Sequence, residues 1–516
     1  MSTDQLVRIT SWNVAGQDPI NSTGLDYLFD DSRRAASLRP DIQIVGLQEA
    51  PQYLFSDPWT SNLSNTLRRR GYILFKRHKL SGILLYIFVL REIMLRTRDF
   101  ETESVKTGFG GLLGNKGGVS LRFTYNGNSF SVTNSHLAAH QENLQNRVDD
   151  FNTILDGTKY TIDPDTSSIL THDYSFWFGD LNFRLDGVEK FEVLNIITRA
   201  KTEGSEENRT MILSTLHAND QLTKVKKKRL AFSDFNESTP LFLPTYKFKI
   251  GSKDLYDSDQ RTPAWTDRVL FKHNPEAYSL MSTSFKPNIQ QIFYDAIPET
   301  ELSDHKPVVS LFKVATFDPR KFNPSPIPYG VVKFEPISGW KAGVDGRLWY
   351  KISNEMFYMR PKVLSSWDRI ALFKADFASL EDYLTIVFVN NIARTEPRLT
   401  AHEVPYQSSK PPSRASSPTA SRRDSTSSSV SSVSVGTEAI TLNSTTGLST
   451  TTSSPASPTP LIPEDAILGD GFKYFSVTFS DDILIPGSYV VLYLKTNPAN
   501  EYNVYGISDP FIIASN

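Results

Sequence analysis

FWFGDLNFR, residues 176–184, is the stretch from which the rest of the chain is interpreted. Its apolar first half predicts a buried strand, which Gly179 is expected to end. Asp180, Asn182 and Arg184 follow at alternate positions, and alternate side chains of an extended chain share one face. We therefore expect an acid, an amide and a cation to project together from the end of a core strand. Such a group suits a phosphate and an attacking water; the alternative is a plain Asp-Asn turn.

Composition narrows the classes of function. The 516 residues are enough for more than one domain, and the net charge of -2 favours neither nucleic acid nor an acidic membrane surface. The chain has no cysteine, which excludes disulfides, thiolate metal sites, cysteine nucleophiles and thioether or thioester lipid anchors. The polar residues 1–8 do not resemble a signal peptide. The most apolar run, residues 82–90, is too short to span a bilayer.

Polar residues recur where predicted strands end. Asn13 and Glu49 follow two apolar strands that flank a helical stretch at residues 27–38, and His136 ends a third strand. Asp304 and His305 stand just before a last apolar strand. Because Mg²⁺ prefers oxygen ligands and often takes only one or two carboxylates, Glu49 is a candidate metal ligand; the alternative is a helix-capping acid.

A glycine-rich loop at residues 107–119 contains a donor and a cation, Asn115 and Lys116. Glycine lets backbone approach a ligand closely, so this loop is expected to contact phosphate. Leu112 and Leu113 stand at the expected loop tip, where they either contact lipid or fold inward in a hairpin. The apolar residues 80–85 carry the same two interpretations: contact with acyl chains, or a buried core strand.

Taken together, these motifs resemble the catalytic domain of inositol polyphosphate 5-phosphatases. Two family motifs are intact, W-x-G-D-x-N-F-R at residues 177–184 and P-A-W-T-D-R-V-L at residues 263–270. The shorter motifs W-N, Q-E, G-N-K-G-G, S-H-L and S-D-H occur in the family order. The resemblance covers residues 6–315. It implies an α+β fold, namely the four-layer α/β/β/α sandwich called DNase I-like, and a Mg²⁺-dependent phosphatase.

The resemblance and the chemistry of phosphate monoester hydrolysis together suggest a role for each residue. Glu49, Asn13 and Asp304 would hold Mg²⁺, and Asp180 with Asn182 would orient or deprotonate the water. The remaining catalytic candidates are His305, the Asp267 that would orient its ring, and His136 and Asn115, which complete the phosphate cradle. The expected phosphate-binding residues are Tyr246, Lys247, Arg261, Arg184, Lys116 and Arg268. For Arg268 a plain salt bridge is the alternative.

Specificity is expected to come from the phosphate next to the scissile one. In the family, a Tyr-Lys pair and basic residues before P-A-W hold the 4-phosphate, and Tyr246, Lys247 and Arg261 match them. Family members often carry a further lysine two positions before that arginine, where this chain has Asp259. Phosphatidylinositol 4,5-bisphosphate is the first expected substrate, then the 3,4,5-trisphosphate and soluble inositol polyphosphates.

The composition changes after residue 317. Residues 318–328 form a proline-rich linker, and residues 329–513 resemble a SKICH domain, an all-β immunoglobulin-like sandwich. The resemblance rests on W-D-R-I-A-L-F-K at residues 367–374 and on the G-I-S-D-P-F ending at residues 506–511. A Ser/Thr/Pro-rich stretch at residues 406–463 cannot bury enough apolar surface to fold, so we expect a disordered insertion there.

The whole sequence therefore predicts a cytoplasmic, peripherally membrane-associated enzyme that acts on phosphoinositide lipids at a membrane surface. The SKICH-like region would contact a membrane or a protein partner, no nucleic acid is expected, and the sequence is silent on oligomeric state. Two rival hypotheses are a catalytically weak scaffold that targets a membrane or a partner, and another phosphodiesterase on the same fold.

Overall fold

The computed structural model describes residues 2–19, 22–35, 38–53, 57–108, 113–203, 205–275, 285–317, 332–353, 367–389, 472–480, 483 and 485–516. The predicted linker at 318–328 and the predicted insertion at 406–463 lie outside these residues, as does Leu112. Of Leu113 only the backbone is described. The lipid-contact prediction for the two leucines therefore stays a prediction.

The first 317 residues contain two sheets. Their strands are β1 (Ser2–Asn13), β2 (Ile42–Gln48), β3 (Tyr72–Leu80), β4 (Ile83–Leu90), β5 (Thr97–Gly108), β6 (Leu113–Tyr125), β7 (Asn128–His136), β8 (Tyr174–Asp180), β9 (Asp267–His273), β10 (Ile289–Ala296) and β11 (Val308–Phe317). The first sheet has the order β10-β11-β1-β2-β4-β3, and the second has the order β5-β6-β7-β8-β9. Within them, the pairs β1/β2 and β7/β8 are parallel.

Helices cover the outer faces of both sheets. They are α1 (Ser32–Ala35), α2 (Pro58–Arg68), α3 (Leu144–Gly157), α4 (Lys190–Thr202), α5 (Glu206–Asn219) and α6 (Gln221–Lys227), with short 3-10 helices at Ser22–Phe29, Arg91–Arg96, Pro164–Thr166 and Ile169–Thr171. The helix expected at residues 27–38 is replaced by a 3-10 helix and one α-helical turn. Phe151 of α3 packs against Trp177 on the outer face of the second sheet. The predicted four-layer sandwich is confirmed.

Two details of the predicted strands are corrected. Gly179 does not end its strand, because β8 continues through Asp180. Residues 83–85 belong to the buried strand β4, so of the two interpretations of this apolar run the core strand is right. Among the described residues, no helix combines the length and the apolar composition needed to cross a membrane.

The C-terminal region is an all-β sandwich, as predicted. Its strands are β12 (Val332–Phe334), β13 (Gly346–Ser353), β14 (Arg369–Lys374), β15 (Thr385–Phe388), β16 (Phe472–Phe479), β17 (Gly487–Thr496), β18 (Tyr502–Ile507) and β19 (Phe511–Ile513). One sheet has the order β12-β13-β16, and the other has β15-β14-β17-β18 with β19 paired to β17. Strands from both sides of the predicted insertion therefore share both sheets.

The C-terminal sandwich packs against β3, the edge strand of the first sheet. The Leu74 amide donates to the Ala378 carbonyl at 2.8 Å, and the Leu380 amide donates to the Leu74 carbonyl at 3.2 Å. Arg91 lies over the Phe377 ring at 4.2 Å and donates to its carbonyl. Because an uncovered edge strand presents unpaired backbone groups, this contact protects the sheet as well as joining the domains.

A second group of contacts extends the same interface to β5. Asn503 accepts a hydrogen bond from the Asp99 amide at 2.8 Å, and Asn497 donates to the Phe100 carbonyl at 2.7 Å. Lys76 and Glu501 form an ion pair nearby. Apolar side chains of the C-terminal sandwich belong to the same buried cluster as the first sheet. The two domains therefore share a core.

Arg268 is buried on the face of β9 that lies away from Asp267. Its guanidinium donates to both carboxylate oxygens of Glu237 at 2.7 and 2.8 Å, and to Asp220 at 3.1 Å. Burial alone would lower the pKa of Arg268, but Asp220 and Glu237 raise it above its ordinary value. The expectation that Arg268 binds substrate phosphate is wrong, since these carboxylates occupy its donors.

We expect Arg268→Leu to destabilise the fold strongly. The substitution would leave two carboxylates buried without their cation, which typically costs about 3–5 kcal/mol. Arg69→Leu, which removes an exposed ion pair with Asp26, should cost about 1 kcal/mol or less and serves as the control. Urea unfolding of the three proteins measures the difference. Equal midpoints for Arg268→Leu and the wild type would contradict the structural role.

The domain interface predicts a second effect on stability. Phe377 is almost fully buried between Phe373 and Arg91, so Phe377→Ala should cost about 3 kcal/mol and loosen the contact with β3. Hydrogen exchange should then rise at the Leu74 amide and stay unchanged at Ile44 in the centre of the sheet. Unchanged protection of Leu74 would show that the interface is not needed to cover this edge.

Candidate functional site

The carboxyl ends of the two parallel strand pairs meet at one rim of the sandwich. Asn13 at the end of β1 is in register with Gln48 of β2, which immediately precedes Glu49. In the other sheet, His136 at the end of β7 is in register with Asp180 at the end of β8. Two sheets thus deliver four polar side chains, predicted separately from four strand ends, to one place.

These side chains form a connected cluster. The Asn13 amide donates to Asp180 at 2.9 Å and to Glu49 at 3.2 Å. His136 Nε2 lies 3.2 Å from Asp180 Oδ2 and 3.7 Å from Glu49 Oε1. Asn13, His136 and Asp180 are buried, while the Glu49 side chain is half-exposed. The cluster therefore opens to solvent on the Glu49 side.

The donor set of this cluster fits a divalent cation. Ligand atoms of Glu49, His136 and Asp180 lie within 4.8 Å of one another, and the Asn13 side chain adjoins both carboxylates. The two carboxylates supply the hard oxygen donors that Mg²⁺ prefers, while the Asn13 side-chain oxygen accepts from the Ala15 amide at 2.9 Å. Asp304, the third predicted metal ligand, does not belong to this group: its Oδ2 pairs with Lys247 Nζ at 3.3 Å, and its Oδ1 lies 4.0 Å from His305 Nε2.

Asp180 is held in its ionised form. Burial alone would raise the pKa of Asp180, but a hydrogen bond with His136 and the charges of His305 and Lys116 hold that pKa well below its usual range. The backbone amide of Asn182 also donates to Asp180 Oδ1 at 3.1 Å. Because these hydrogen bonds and positive charges outweigh burial, Asp180 is suited to orienting a water by accepting its hydrogen bond.

His305 and Asp267 form the predicted carboxylate–imidazole pair. Asp267 Oδ2 lies 2.9 Å from His305 Nδ1 and also accepts hydrogen bonds from Thr245 at 2.7 Å and Thr266 at 2.9 Å. Although burial lowers the pKa of His305, Asp267 and Asp180 raise it to about 9. His305 Nε2 lies 3.9 Å from Asp180 Oδ2 and 4.0 Å from Asp304 Oδ1, so a cationic N–H faces the cleft.

Asn182 and Arg184 reach the cleft by a different route from the one predicted. The chain is not extended beyond Asp180, because Asn182 adopts a left-handed backbone with φ of 57°. The side-chain amide nitrogen of Asn182 donates to the Leu137 carbonyl at 3.1 Å, and the side-chain oxygen accepts a hydrogen bond from Arg184. The Arg184 guanidinium lies 4.6 Å from the centre of the Tyr246 ring. The predicted grouping is therefore present, but regular strand alternation is not its cause.

The residues of the glycine-rich loop separate. Lys116 contacts His136, and burial, as the largest influence, lowers the Lys116 pKa. Asn115, the preceding residue in β6, is exposed, and among the described residues no hydrogen bond joins it to the cluster. Consecutive residues of a strand point to opposite faces, which explains the separation. Lys116 is placed to meet a phosphate, whereas a catalytic role for Asn115 stays a prediction.

Of the three residues expected to select the neighbouring phosphate, Tyr246 and Lys247 adjoin His305 and Asp304. The centre of the Tyr246 ring lies 4.3 Å from the centre of the His305 ring. The next residue, Lys247, forms an ion pair with Asp304. Arg261 is exposed and donates to His140 Nδ1 at 3.1 Å. The Asp257 amide donates to the Lys247 carbonyl at 2.8 Å, which joins the Arg261 segment to the Tyr246 segment.

Two further residues in the sequence motifs, Trp12 and Ser303, position the site residues Asn13 and His305. Trp12 donates through its indole nitrogen to the His305 carbonyl at 3.1 Å. Ser303 donates to the Asn13 carbonyl at 2.7 Å and accepts the His305 amide at 3.1 Å. Both residues, with Thr245, stand in motifs already recognised. Their adjacency to Asn13 and His305 in sequence was the signal that could have identified them.

Arg147 and Lys306 were missed because only the fold reveals their contacts. Buried Arg147 donates to the His140 carbonyl at 2.6 Å and to Gln221 at 2.7 Å, which fixes the loop after β7. Lys306 donates to the Ser252 carbonyl at 3.0 Å and lies 4.5 Å from the Phe248 ring. It thereby supports the segment that follows Tyr246 and Lys247.

Comparison with known proteins agrees with this geometry. A family model described as Endonuclease/Exonuclease/phosphatase family 2 matches residues 10–311, and a SKICH domain model matches residues 332–419. Human phosphatidylinositol 4,5-bisphosphate 5-phosphatase A is 31% identical over 401 residues, covering 75% of this chain and 37% of the relative. Mouse inositol polyphosphate 5-phosphatase K is 30% identical over 402 residues, covering 75% of this chain and 79% of the relative.

A solved structure from the same family is also similar to this chain. The inositol polyphosphate 5-phosphatase domain of SPsynaptojanin, solved in complex with inositol (1,4)-bisphosphate and calcium ion, is 29% identical with a TM-score of 0.51. The match covers 62% of this chain and 88% of that chain. With the fold, the cleft and the two family models in agreement, the chain belongs to the inositol polyphosphate 5-phosphatases of endonuclease/exonuclease/phosphatase family 2 and carries a SKICH domain.

Proposed function

We propose that this chain removes the 5-phosphate of phosphoinositides in a Mg²⁺-dependent hydrolysis. Phosphatidylinositol 4,5-bisphosphate, converted to phosphatidylinositol 4-phosphate, is the first proposed substrate, followed by the 3,4,5-trisphosphate and soluble inositol polyphosphates. The observation that carries the proposal is the convergence of Glu49, Asp180 and His305 on one cleft whose wall holds Tyr246 and Lys247.

The relatives support this choice of substrate. The human relative is named for phosphatidylinositol 4,5-bisphosphate, and the solved SPsynaptojanin domain holds an inositol with phosphates at positions 1 and 4. Such an inositol is what remains after a 5-phosphate has been removed from the corresponding 1,4,5-trisphosphate. This chain spans 37% of the human relative, so the activity is proposed for the residues present here.

In the proposed mechanism, Asp180 orients the attacking water. Its carboxylate is ionised at neutral pH, and the Asn13 and Asn182 contacts fix its two oxygens. A bound water would therefore be held by a hydrogen bond to Asp180, with its lone pair directed at phosphorus. Direct attack by water is consistent with the absence of cysteine from the chain.

His305 and Lys116 would stabilise the developing charge on the phosphoryl oxygens. His305 is protonated at neutral pH and directs Nε2 into the cleft, while Asp267 fixes the ring. Lys116 lies beside His136. Preorganised donors of this kind supply much of the catalysis of phosphoryl transfer.

The metal is proposed as Mg²⁺, held principally by Glu49 with Asn13 and Asp180 beside it. When bound there, Mg²⁺ would supply charge neutralisation at a non-bridging oxygen of the scissile phosphate. Glu49 is the half-exposed member of the cluster and so offers the entry side. Asp304 is better assigned to holding Lys247 at the substrate wall.

The SKICH domain suggests where the reaction takes place. We propose a cytoplasmic protein that associates peripherally with membranes, through its lipid substrate and through a membrane or protein partner of the SKICH domain. The near-neutral net charge supports substrates other than nucleic acid.

Substitution of the water-orienting and phosphate-binding groups tests the mechanism. Asp180→Asn and His305→Ala should each lower phosphate release from phosphatidylinositol 4,5-bisphosphate by about 10²-fold or more, because each removes a group acting in the transition state. Asp149→Asn, on the exposed face of α3, is the control and should keep wild-type rates. The mechanism is wrong if both site variants, shown to be folded by circular dichroism, retain full activity.

Metal dependence gives an independent test. Glu49→Gln keeps the shape of the side chain but removes a charge, so half-maximal activity should need at least about 10-fold more Mg²⁺. Chelation should abolish wild-type activity, and added Mg²⁺ should restore it. Glu207→Gln, an exposed glutamate in the first turn of α5, should leave the Mg²⁺ dependence unchanged. An identical Mg²⁺ titration for Glu49→Gln and the wild type would remove Glu49 from the metal site.

A further inference from the structure

His140 lies in the loop after β7, the strand that ends at His136, and is joined to Arg261, although neither the motifs nor the mechanism assign it a function. Arg261 Nη2 donates to His140 Nδ1 at 3.1 Å, and both side chains are exposed. A guanidinium can only donate, so Nδ1 is the acceptor and the ring proton is on Nε2. The pair thus keeps an imidazole N–H and several guanidinium N–H groups for a further ligand.

The loop that carries His140 is held by hydrogen bonds to buried side chains. His140 has a left-handed backbone with φ of 75°, and its carbonyl accepts a hydrogen bond from Arg147 at 2.6 Å. Arg147 is fully buried and also holds the Ala138 carbonyl at 3.0 Å, while the Ala138 amide donates to Asp150 at 2.8 Å. The left-handed backbone would not persist without such support. The His140 backbone is therefore fixed by its hydrogen bond with buried Arg147, and its side chain is held by Arg261.

The charge of Arg261 is not balanced within the described residues. No carboxylate of that part of the chain lies within 4.0 Å of its guanidinium, whose other contact is the Gln260 carbonyl at 3.2 Å. Asp259 stands where members of the family often have a lysine. An exposed guanidinium and an imidazole N–H, side by side and without an acid, suit a phosphate dianion.

The same segment leads directly to the proposed substrate wall. The Arg261 amide donates to the Asp257 carbonyl at 3.3 Å, and the Asp257 amide donates to the Lys247 carbonyl at 2.8 Å. Tyr246 and Ala264 exchange backbone hydrogen bonds at 3.3 and 2.8 Å. Arg261 and Lys247 are thus joined through Asp257 by backbone hydrogen bonds.

We infer that His140 is a specificity-determining residue that binds, with Arg261, the ring phosphate next to the scissile one, and that its Nε2–H supplies a hydrogen-bond donor where Asp259 stands in place of the family's lysine. The inference rests on the proposed function. It assigns the selection of a vicinal phosphate to a histidine presented by the loop after β7.

A pair of substrates that differ only in the 4-phosphate tests the inference. Water-soluble short-chain phosphatidylinositol 4,5-bisphosphate and phosphatidylinositol 5-phosphate are compared by kcat/KM, and their ratio is the readout. His140→Ala should lower the ratio at least about 10-fold, the size of one lost charge-assisted hydrogen bond. His140→Gln, which keeps an N–H donor, should retain more of the ratio than His140→Ala. Gln145→Ala, on the exposed face of α3, is the control and should keep the wild-type ratio.

A compensating substitution sharpens the test. Asp259→Lys, introduced into His140→Ala, should restore the ratio by returning a cation to this wall. An unchanged ratio in His140→Ala, an equal loss on both substrates, or no restoration by Asp259→Lys would overturn the inference. Each of these outcomes leaves the proposed function intact, whereas a wild-type protein that releases phosphate from neither substrate would refute the proposed function itself.

Discussion

A buried amide, that of Asn134, joins the two catalytic sheets behind the site and adds to their shared apolar core. Its nitrogen donates to the Leu47 carbonyl at 3.1 Å and to the Leu84 carbonyl at 2.7 Å, and its oxygen accepts from Gln48 at 2.7 Å. Asn134 belongs to the second sheet, and all three partners belong to the first. Gly46 permits this approach, since a Cβ there would lie 2.3 Å from the Phe178 ring and 2.8 Å from Asn134. The relative position of the strand ends depends on this contact.

The site must also stabilise several buried charges. Several ionisable groups are buried together, and an isolated buried charge is expensive unless it is paired and hydrogen-bonded. Asp180 accepts hydrogen bonds from its neighbours, and the positive charge of His305 is balanced by the carboxylate of Asp267. The Asp267 oxygen that faces His305 also accepts hydrogen bonds from Thr245 and Thr266. The protonation states required for catalysis are therefore properties of the folded protein and need no substrate to establish them. That is what preorganisation means for this cleft.

The sequence predicted the parts of the site that depend on strand ends. Asn13, Glu49, His136, Asp180 and His305 could be found because each polar residue follows or precedes an apolar strand. Arg268 could also have been excluded from the site, since it follows Asp267 within a strand and must point to the opposite face. Asn182 could not be placed correctly, because its left-handed backbone depends on contacts with Leu137 and Thr266 from distant segments. Arg147 was equally out of reach for the same reason.

The domain interface changes what the SKICH domain can do for the enzyme. A domain on a flexible linker raises the local concentration of enzyme at a surface but leaves the cleft free to face any direction. Here the C-terminal sandwich covers the edge of β3 with backbone hydrogen bonds, a cation–π contact and a continuous apolar core. Interfaces that are large and apolar suppress relative domain motion. A surface bound by the SKICH domain would therefore also set the direction in which Glu49 and His140 face, so targeting and orientation would arise from the same contact.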